Sequence, residues 1–143
     1  EILWWGTSYE LYLFIDVKIK IKDARKNLQP NHIGIVKDFI EFLQSNGPIK
    51  NSLTISFTDK RNEEITTGKH TDDTITIFVK GRVLIDILRT LAHEWVHEVQ
   101  HENTATTPQL ERPSEDHANS LAGYWVRMFI KENPEHETEV YKD

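Results

Sequence analysis

Apolar residues recur with two spacings along this chain, and each switch between them marks a new element. Over residues 11–21, Leu11, Leu13, Ile15, Val17, Ile19 and Ile21 take alternate positions, as a strand with one buried face requires. Residues 31–46 change to helical spacing, with Ile33, Val36, Ile40 and Leu43 on one face and Asn46-Gly47-Pro48 as the stop. Alternation returns over 52–59 through Leu53, Ile55 and Phe57. The polar stretch 60–64 reads as a solvated turn, and 65–68 as a short strand. Residues 74–79 are rich in β-branched side chains and predict a strand ending near Lys80-Gly81.

A long helix is predicted over 83–102. Its apolar residues Leu84, Ile87, Leu88, Leu91, Ala92, Trp95, Val96 and Val99 cover a wide arc, so it should be buried on most of its girth. Residues 103–113 form a polar loop with two prolines. A last helix starts at Ser114 and stops before Pro134, and the acidic segment 132–143 reads as a frayed end rather than a plug for any site. No repeat or linker divides the chain, so residues 1–143 form a single domain. The expected class is α+β, with helices on one side of a small, mainly antiparallel sheet.

Composition removes several possibilities. A net charge of −6 and the lack of a basic stripe argue against a direct nucleic-acid partner. Lys18, Lys20 and Lys22 alternate with Val17, Ile19 and Ile21 and belong to the wet face of a strand. With no cysteine, the chain has neither a thiolate nucleophile nor a disulfide, and any zinc must be held by His, Asp or Glu. The apolar run near the N-terminus is broken by Glu10 and Asp16, too short for a membrane span, and lacks the basic start and cleavage site of a signal peptide. The chain starts at Glu1 rather than Met; a cytoplasmic location with no membrane partner is the expectation.

Residues 93–97 read His-Glu-Trp-Val-His, an HExxH motif inside the long helix. Positions i and i+4 share a helix face, so His93 and His97 can aim two imidazoles at one point. Two neutral imidazoles suit Zn²⁺, and Glu94 beside them is placed to act as general base toward a metal-activated water. A catalytic zinc needs a third protein ligand. One arrangement supplies a His six residues after the motif, past a Gly; Gln100 and Asn103 stand there instead. Among Glu111, Glu115, Asp116 and His117, only Glu115 falls on the apolar stripe Ala118-Ala122-Trp125-Val126-Phe129 of the last helix. A core-facing carboxylate is costly without a charged partner, and a zinc on the facing helix would be one. Glu115 is therefore the expected third ligand. Asn119, one turn later, is placed to accept the second ring N–H of a ligating His. His101 reads as a rim residue, and His32, His70, His117 and His136 as surface histidines.

The segment Leu91-Ala92-His93-Glu94-Trp95-Val96-His97-Glu98-Val99-Gln100, followed by Glu115-Asp116-His117-Ala118-Asn119-Ser120-Leu121-Ala122, resembles a minimal gluzincin-type zinc metallopeptidase. It is particularly similar to small bacterial and phage zincins of the ImmA/IrrE and SprT-like kind, over residues 83–130. The resemblance implies a zincin-like fold, zinc on His93, His97 and Glu115, and Glu94 as the base. It also implies that the strand at 74–79 borders the cleft and pairs with an extended peptide. Larger gluzincins often carry Asp four residues after the glutamate ligand, where this chain has Asn119. The oxyanion-stabilising residue is left open among Tyr141, His70 and His136, since Tyr124 points away from the metal stripe.

The expected activity is zinc-dependent hydrolysis of peptide bonds in a peptide or protein substrate. The alternative is a zinc-stabilised binding or virion-associated domain with little turnover.

Overall fold

A computed structural model describes residues 2–5, 8–13, 17–23, 27–60, 67–71, 73–106 and 115–142, with backbone alone at 2–5, 8–13 and 104–106. The class is α+β. The elements are β1 (Ile2–Trp5), β2 (Ser8–Leu13), β3 (Val17–Lys22), α1 (Pro30–Asn46), β4 (Leu53–Thr58), β5 (Gly68–Thr71), β6 (Thr74–Phe78), α2 (Leu84–Thr106), α3 (Glu115–Glu132) and α4 (Glu137–Tyr141), the last preceded by a 3-10 turn, Pro134–His136.

The sheet has six strands in the order β1-β2-β3-β4-β6-β5. Its outer pairs β1–β2, β2–β3 and β5–β6 are antiparallel, but β3–β4 and β4–β6 at its centre are parallel. The sheet is thus mixed, where a mainly antiparallel one was expected. The connection explains it. β3 reaches β4 through α1, and a helical crossover returns the chain in the same direction, whereas an antiparallel neighbour needs only a tight turn. Residues 11–21 form parts of two strands, β2 and β3, instead of one.

One face of the sheet is apolar. Val17, Ile19, Ile21, Leu53, Ile55, Phe57, Ile75 and Ile77 are buried there, while Lys18 and Lys22 point the other way into solvent. The helices cover the apolar face: Val36, Phe39, Ile40 and Leu43 of α1, Leu88, Leu91, Ala92 and Trp95 of α2, and Ala118, Val126 and Phe129 of α3 all join one core. Trp95, fully buried, donates its indole N–H to the carbonyl of Gly47 at 2.7 Å and ties α2 to the end of α1. Phe39 and Phe42 of α1 each meet Phe129 of α3 edge to face.

The C-terminal segment is docked, which corrects the expectation of a frayed end. Val140 is fully buried. Glu139 accepts hydrogen bonds from Asn31 at 2.6 Å and meets His32 at 3.0 Å, and His136 meets Asp38 at 2.9 Å. These contacts hold α4 on α1 and leave it by the start of α2, two to three turns before the HExxH motif. Among the described residues no helix is long and apolar enough to cross a membrane.

Candidate metal and hydrolytic site

The helix α2 carries His93 and His97 on one face, and the first residue of α3 comes down opposite them. His93 Nε2 lies 2.9 Å from one Glu115 carboxylate oxygen, His97 Nε2 lies 3.0 Å from the other, and the two Nε2 atoms are 3.2 Å apart. These three residues form the group, among those described, whose ligand atoms converge closely enough to hold a metal. The fit to zinc can be checked by trigonometry. Two nitrogens bound at ~2.0–2.1 Å with a tetrahedral angle between them would be about 3.3 Å apart. The observed 3.2 Å is close to that separation, so the spacing of the two nitrogens fits such an ion.

Glu115 reaches this point by a different route from the one its stripe suggested. Its side chain is 71% exposed, so it sits on the rim at the start of α3 and not in the core. The partners are as expected; the reason for them is position at a helix terminus. Asp116 and His117 of the same turn are exposed, and Glu111 lies outside the described residues.

Burial favours neutral imidazole at His97: desolvation lowers its pKa, the nearby His93 lowers it further, and Glu115 opposes both. A neutral ring is the form that ligates metal. Glu94 is 8% exposed. Burial raises its carboxyl pKa, Glu115 adds to the rise, and His93 and His70 pull it back. A carboxyl whose pKa is raised holds a proton more readily than an ordinary surface carboxylate.

His93, Glu94, Glu115 and Asn119 line one end of a cavity of about 450 Å³. The cavity runs along α2 past Thr90 to Asp86 and Arg89, with Arg82 and Gly68 on its wall. Arg82 donates to the carbonyls of Thr67, Phe78 and Asp86 and to Thr90 Oγ1, bracing the loop before α2 against the sheet. Asn119 is exposed, and it does not serve His93 in the way expected of it toward one of the two histidines: among the described residues His93 Nδ1 is buried without a partner.

The strand beside the cavity is β5, not the expected 74–79. β6 is paired on both sides, by β4 and β5, so its backbone groups are used in the sheet. The edge belongs to β5, predicted only in part as 65–68; residues 61–66 lie outside the described set. Of the three open oxyanion candidates, His136 is held at Asp38 and Tyr141 is half exposed on α4, both away from the cavity. His70 is the one beside α2, with Nε2 2.6 Å from Glu98. The histidines read as surface residues are mostly inside: the side chains of His32, His70 and His136 are 14%, 10% and 19% exposed, and each meets a carboxylate.

Sequence reasoning missed Glu98 and Glu102, both buried on α2. The signal was present in His93-Glu94, His97-Glu98 and His101-Glu102, a His-Glu pair repeated every four residues. Comparison of the chain with protein-family models, with curated proteins and with solved structures found no match.

Proposed function

We propose that the chain is a zinc-dependent metallopeptidase of the minimal gluzincin type, with a zincin-like arrangement of the HExxH helix α2 and the glutamate helix α3. The observation that carries this reading is the convergence of His93, His97 and Glu115 at 2.9–3.2 Å beside a buried carboxylate, Glu94, in a polar cavity.

In this reading His93, His97 and Glu115 hold the ion. Zinc supplies Lewis acidity, lowering the pKa of water toward about 7 and polarising a carbonyl. Glu94 takes a proton from the attacking water and returns it to the leaving amine. Its burial supports the role, because desolvation raises the affinity of the carboxyl for the proton it must take up. The substrate would be a peptide or protein lying in the cavity along α2, with no role for nucleic acid.

The runner-up is a zinc-fastened binding domain with little turnover, in which the ion would join α2 to α3. The cavity favours hydrolysis, since Glu94 and Glu115 both open onto it and α4 is docked elsewhere. Metal analysis of purified protein, followed by digestion of a peptide library with and without chelator, tests the proposal. The expected result is near-stoichiometric zinc, chelator-sensitive cleavage, and a Glu94→Gln variant that keeps zinc and loses cleavage. Equal cleavage by Glu94→Gln would remove Glu94 as the base; zinc without cleavage would favour the binding domain.

A further inference from the structure

The edge strand β5 lines the cavity, yet its sequence Gly68-Lys69-His70-Thr71 has no apolar anchor. The other strands with described side chains bury apolar residues under the helices, three each from β3 and β4 and two, Ile75 and Ile77, from β6. Among the described residues β5 is joined to the sheet on one side, by four residue pairs with β6. Something else must seat it on α2.

Two contacts do so. Gly68 allows the strand to approach the helix so closely that a Cβ there would lie 2.5 Å from Thr90 Cγ2 and 3.4 Å from Glu94 Cγ. Two residues on, and so on the same face of the strand, His70 Nε2 meets Glu98 Oε1 at 2.6 Å. Both side chains are inside, 10% and 2% exposed. Glu98 in turn neighbours Glu102 one turn on, and burial, with Glu98 adding to it, raises the Glu102 carboxyl pKa. Glu102 accepts the backbone N–H groups of Lys50 at 2.7 Å and Asn51 at 3.1 Å. A line of polar contacts therefore crosses from the sheet edge, over α2, to the segment before β4. His101 stands edge-on to the His70 ring at 5.7 Å and restricts its swing.

A carboxylate as deep as Glu98 is costly unless it is hydrogen-bonded, and charge-assisted bonds are the stronger kind. In a strand without hydrophobic side chains, that bond is a directed contact that fixes position along the helix, beyond the Arg82 bridge from the Thr67 carbonyl to Thr90 at the start of the strand. Glu94 lies one turn before Glu98, and Gly68 two residues before His70, so the same registration sets the distance between the cavity wall and Glu94.

We infer that the His70–Glu98 pair is a latch that registers the edge strand β5 on the HExxH helix, making His70 a positioning residue for substrate beside Glu94. The functional half of this inference rests on the proposed hydrolysis; the latch itself does not.

The test uses the full chain as wild type, His70→Ala and His70→Gln, the last keeping an N–H donor near the position of Nε2. Hydrogen exchange over residues 68–71, zinc titration, and kcat and KM on a peptide identified by the library digest are measured for each. In His70→Ala, exchange at 68–71 should rise at least tenfold while the amides of α2 stay protected. Zinc affinity should stay within threefold, and kcat should fall at least tenfold with a smaller change in KM. His70→Gln should restore protection and most of kcat. Unchanged exchange in His70→Ala would overturn the latch, as would a His70→Gln variant that exchanges like His70→Ala. If His70→Ala does not fold, loss of protection in a folded His70→Gln is the refuting result. If even the wild type neither binds zinc nor cleaves peptide, the proposed function fails, and the exchange measurement still decides the latch.

Discussion

Replacing Gly68 by Ala tests the close approach of β5 to α2 and gives a magnitude that can be worked from contacts. The added methyl would stand 2.5 Å from Thr90 Cγ2, and 3.4 Å from both Glu94 Cγ and the Thr76 carbonyl oxygen. Carbon atoms prefer ~3.5–4.0 Å, so about 1 Å of movement is needed against Thr90. Thr90 is poorly placed to yield, because its hydroxyl donates to the Asp86 carbonyl at 2.9 Å and accepts from Arg82 at 2.7 Å. Rotating the methyl away breaks both bonds. Overpacking of this kind costs about 1–3 kcal/mol. Against it, Ala in place of a strand Gly gains about 0.5–1 kcal/mol through the unfolded chain. The clash wins, and Gly68→Ala should lose about 1–2 kcal/mol. Thr90→Ser removes the offending methyl while keeping the hydroxyl, at about 0.8 kcal/mol for one buried carbon. The double variant should then be no less stable than Thr90→Ser alone, giving a coupling of about 1–2 kcal/mol in a double-mutant cycle. Urea unfolding at constant m supplies all four values. A Gly68→Ala protein as stable as wild type, or an additive cycle, would refute the contact.

Three further outcomes follow from single contacts. Glu115 is 71% exposed, so in chelator Glu115→Ala should cost no more than about 1 kcal/mol, as exposed ion pairs do. At zinc concentrations of 100 times Kd the wild type should gain about 2.7 kcal/mol, an increment the variant should largely lose; equal increments in thermal unfolding would remove Glu115 from the ligand set. Trp95→Phe gives up the 2.7 Å bond to Gly47 and part of a fully buried ring, and should lower urea stability by about 2–4 kcal/mol. Glu139 has its carboxyl pKa held below the ordinary value by hydrogen bonds from His32 and then Asn31. A depressed carboxyl contributes stability above its unfolded pKa and loses it as pH falls through the lower folded value, so Glu139→Gln should flatten the acid limb of a Tm-against-pH curve below about pH 4. Parallel acid limbs would contradict this.

Elements long enough to show a clear period were legible from the chain. The first helix, the strands around residues 55 and 76, and the two long helices fall within a few residues of their predicted bounds. Strand partners were less legible, because alternation says which face is buried and nothing about which strand lies alongside. The α1 crossover did carry that information, since two strands separated by a 17-residue helix cannot be joined by a hairpin. β5 was nearly invisible for a physical reason: Gly68-Lys69-His70-Thr71 has no apolar period, and what holds it is polar and tertiary. The pairing of Glu115 with the two histidines was found through a periodicity that misjudged its burial. Helical twist is a poor guide in a first turn, where the backbone leaves the core and a side chain can meet a neighbouring helix while still in water.

The repeated His-Glu pairs show how one helix divides its work by drift. Each step of four residues advances about 40° around an α-helix, so a row spaced by four winds slowly off its starting face. The histidine row begins at Glu115 with His93, still meets Glu115 at His97, and by His101 has turned to face His70 on β5. The glutamate row runs about 100° ahead. It starts on the cavity at Glu94, passes under β5 at Glu98, and ends at Glu102 on the N–H groups of Lys50 and Asn51. The same two residue types thus serve three surroundings, and the surroundings assign the roles. A histidine is a ligand candidate where α3 brings a carboxylate to it, and a ring contact where the strand does. A glutamate is a candidate proton acceptor where it borders the cavity, and a fastener where it is sealed beneath the sheet edge. Moving the pairs one residue toward the C-terminus would put imidazoles where Glu94 and Glu98 stand and a carboxylate in the buried place of Trp95, so the spacing of the repeat alone does not specify the site; its phase against Glu115 and His70 does.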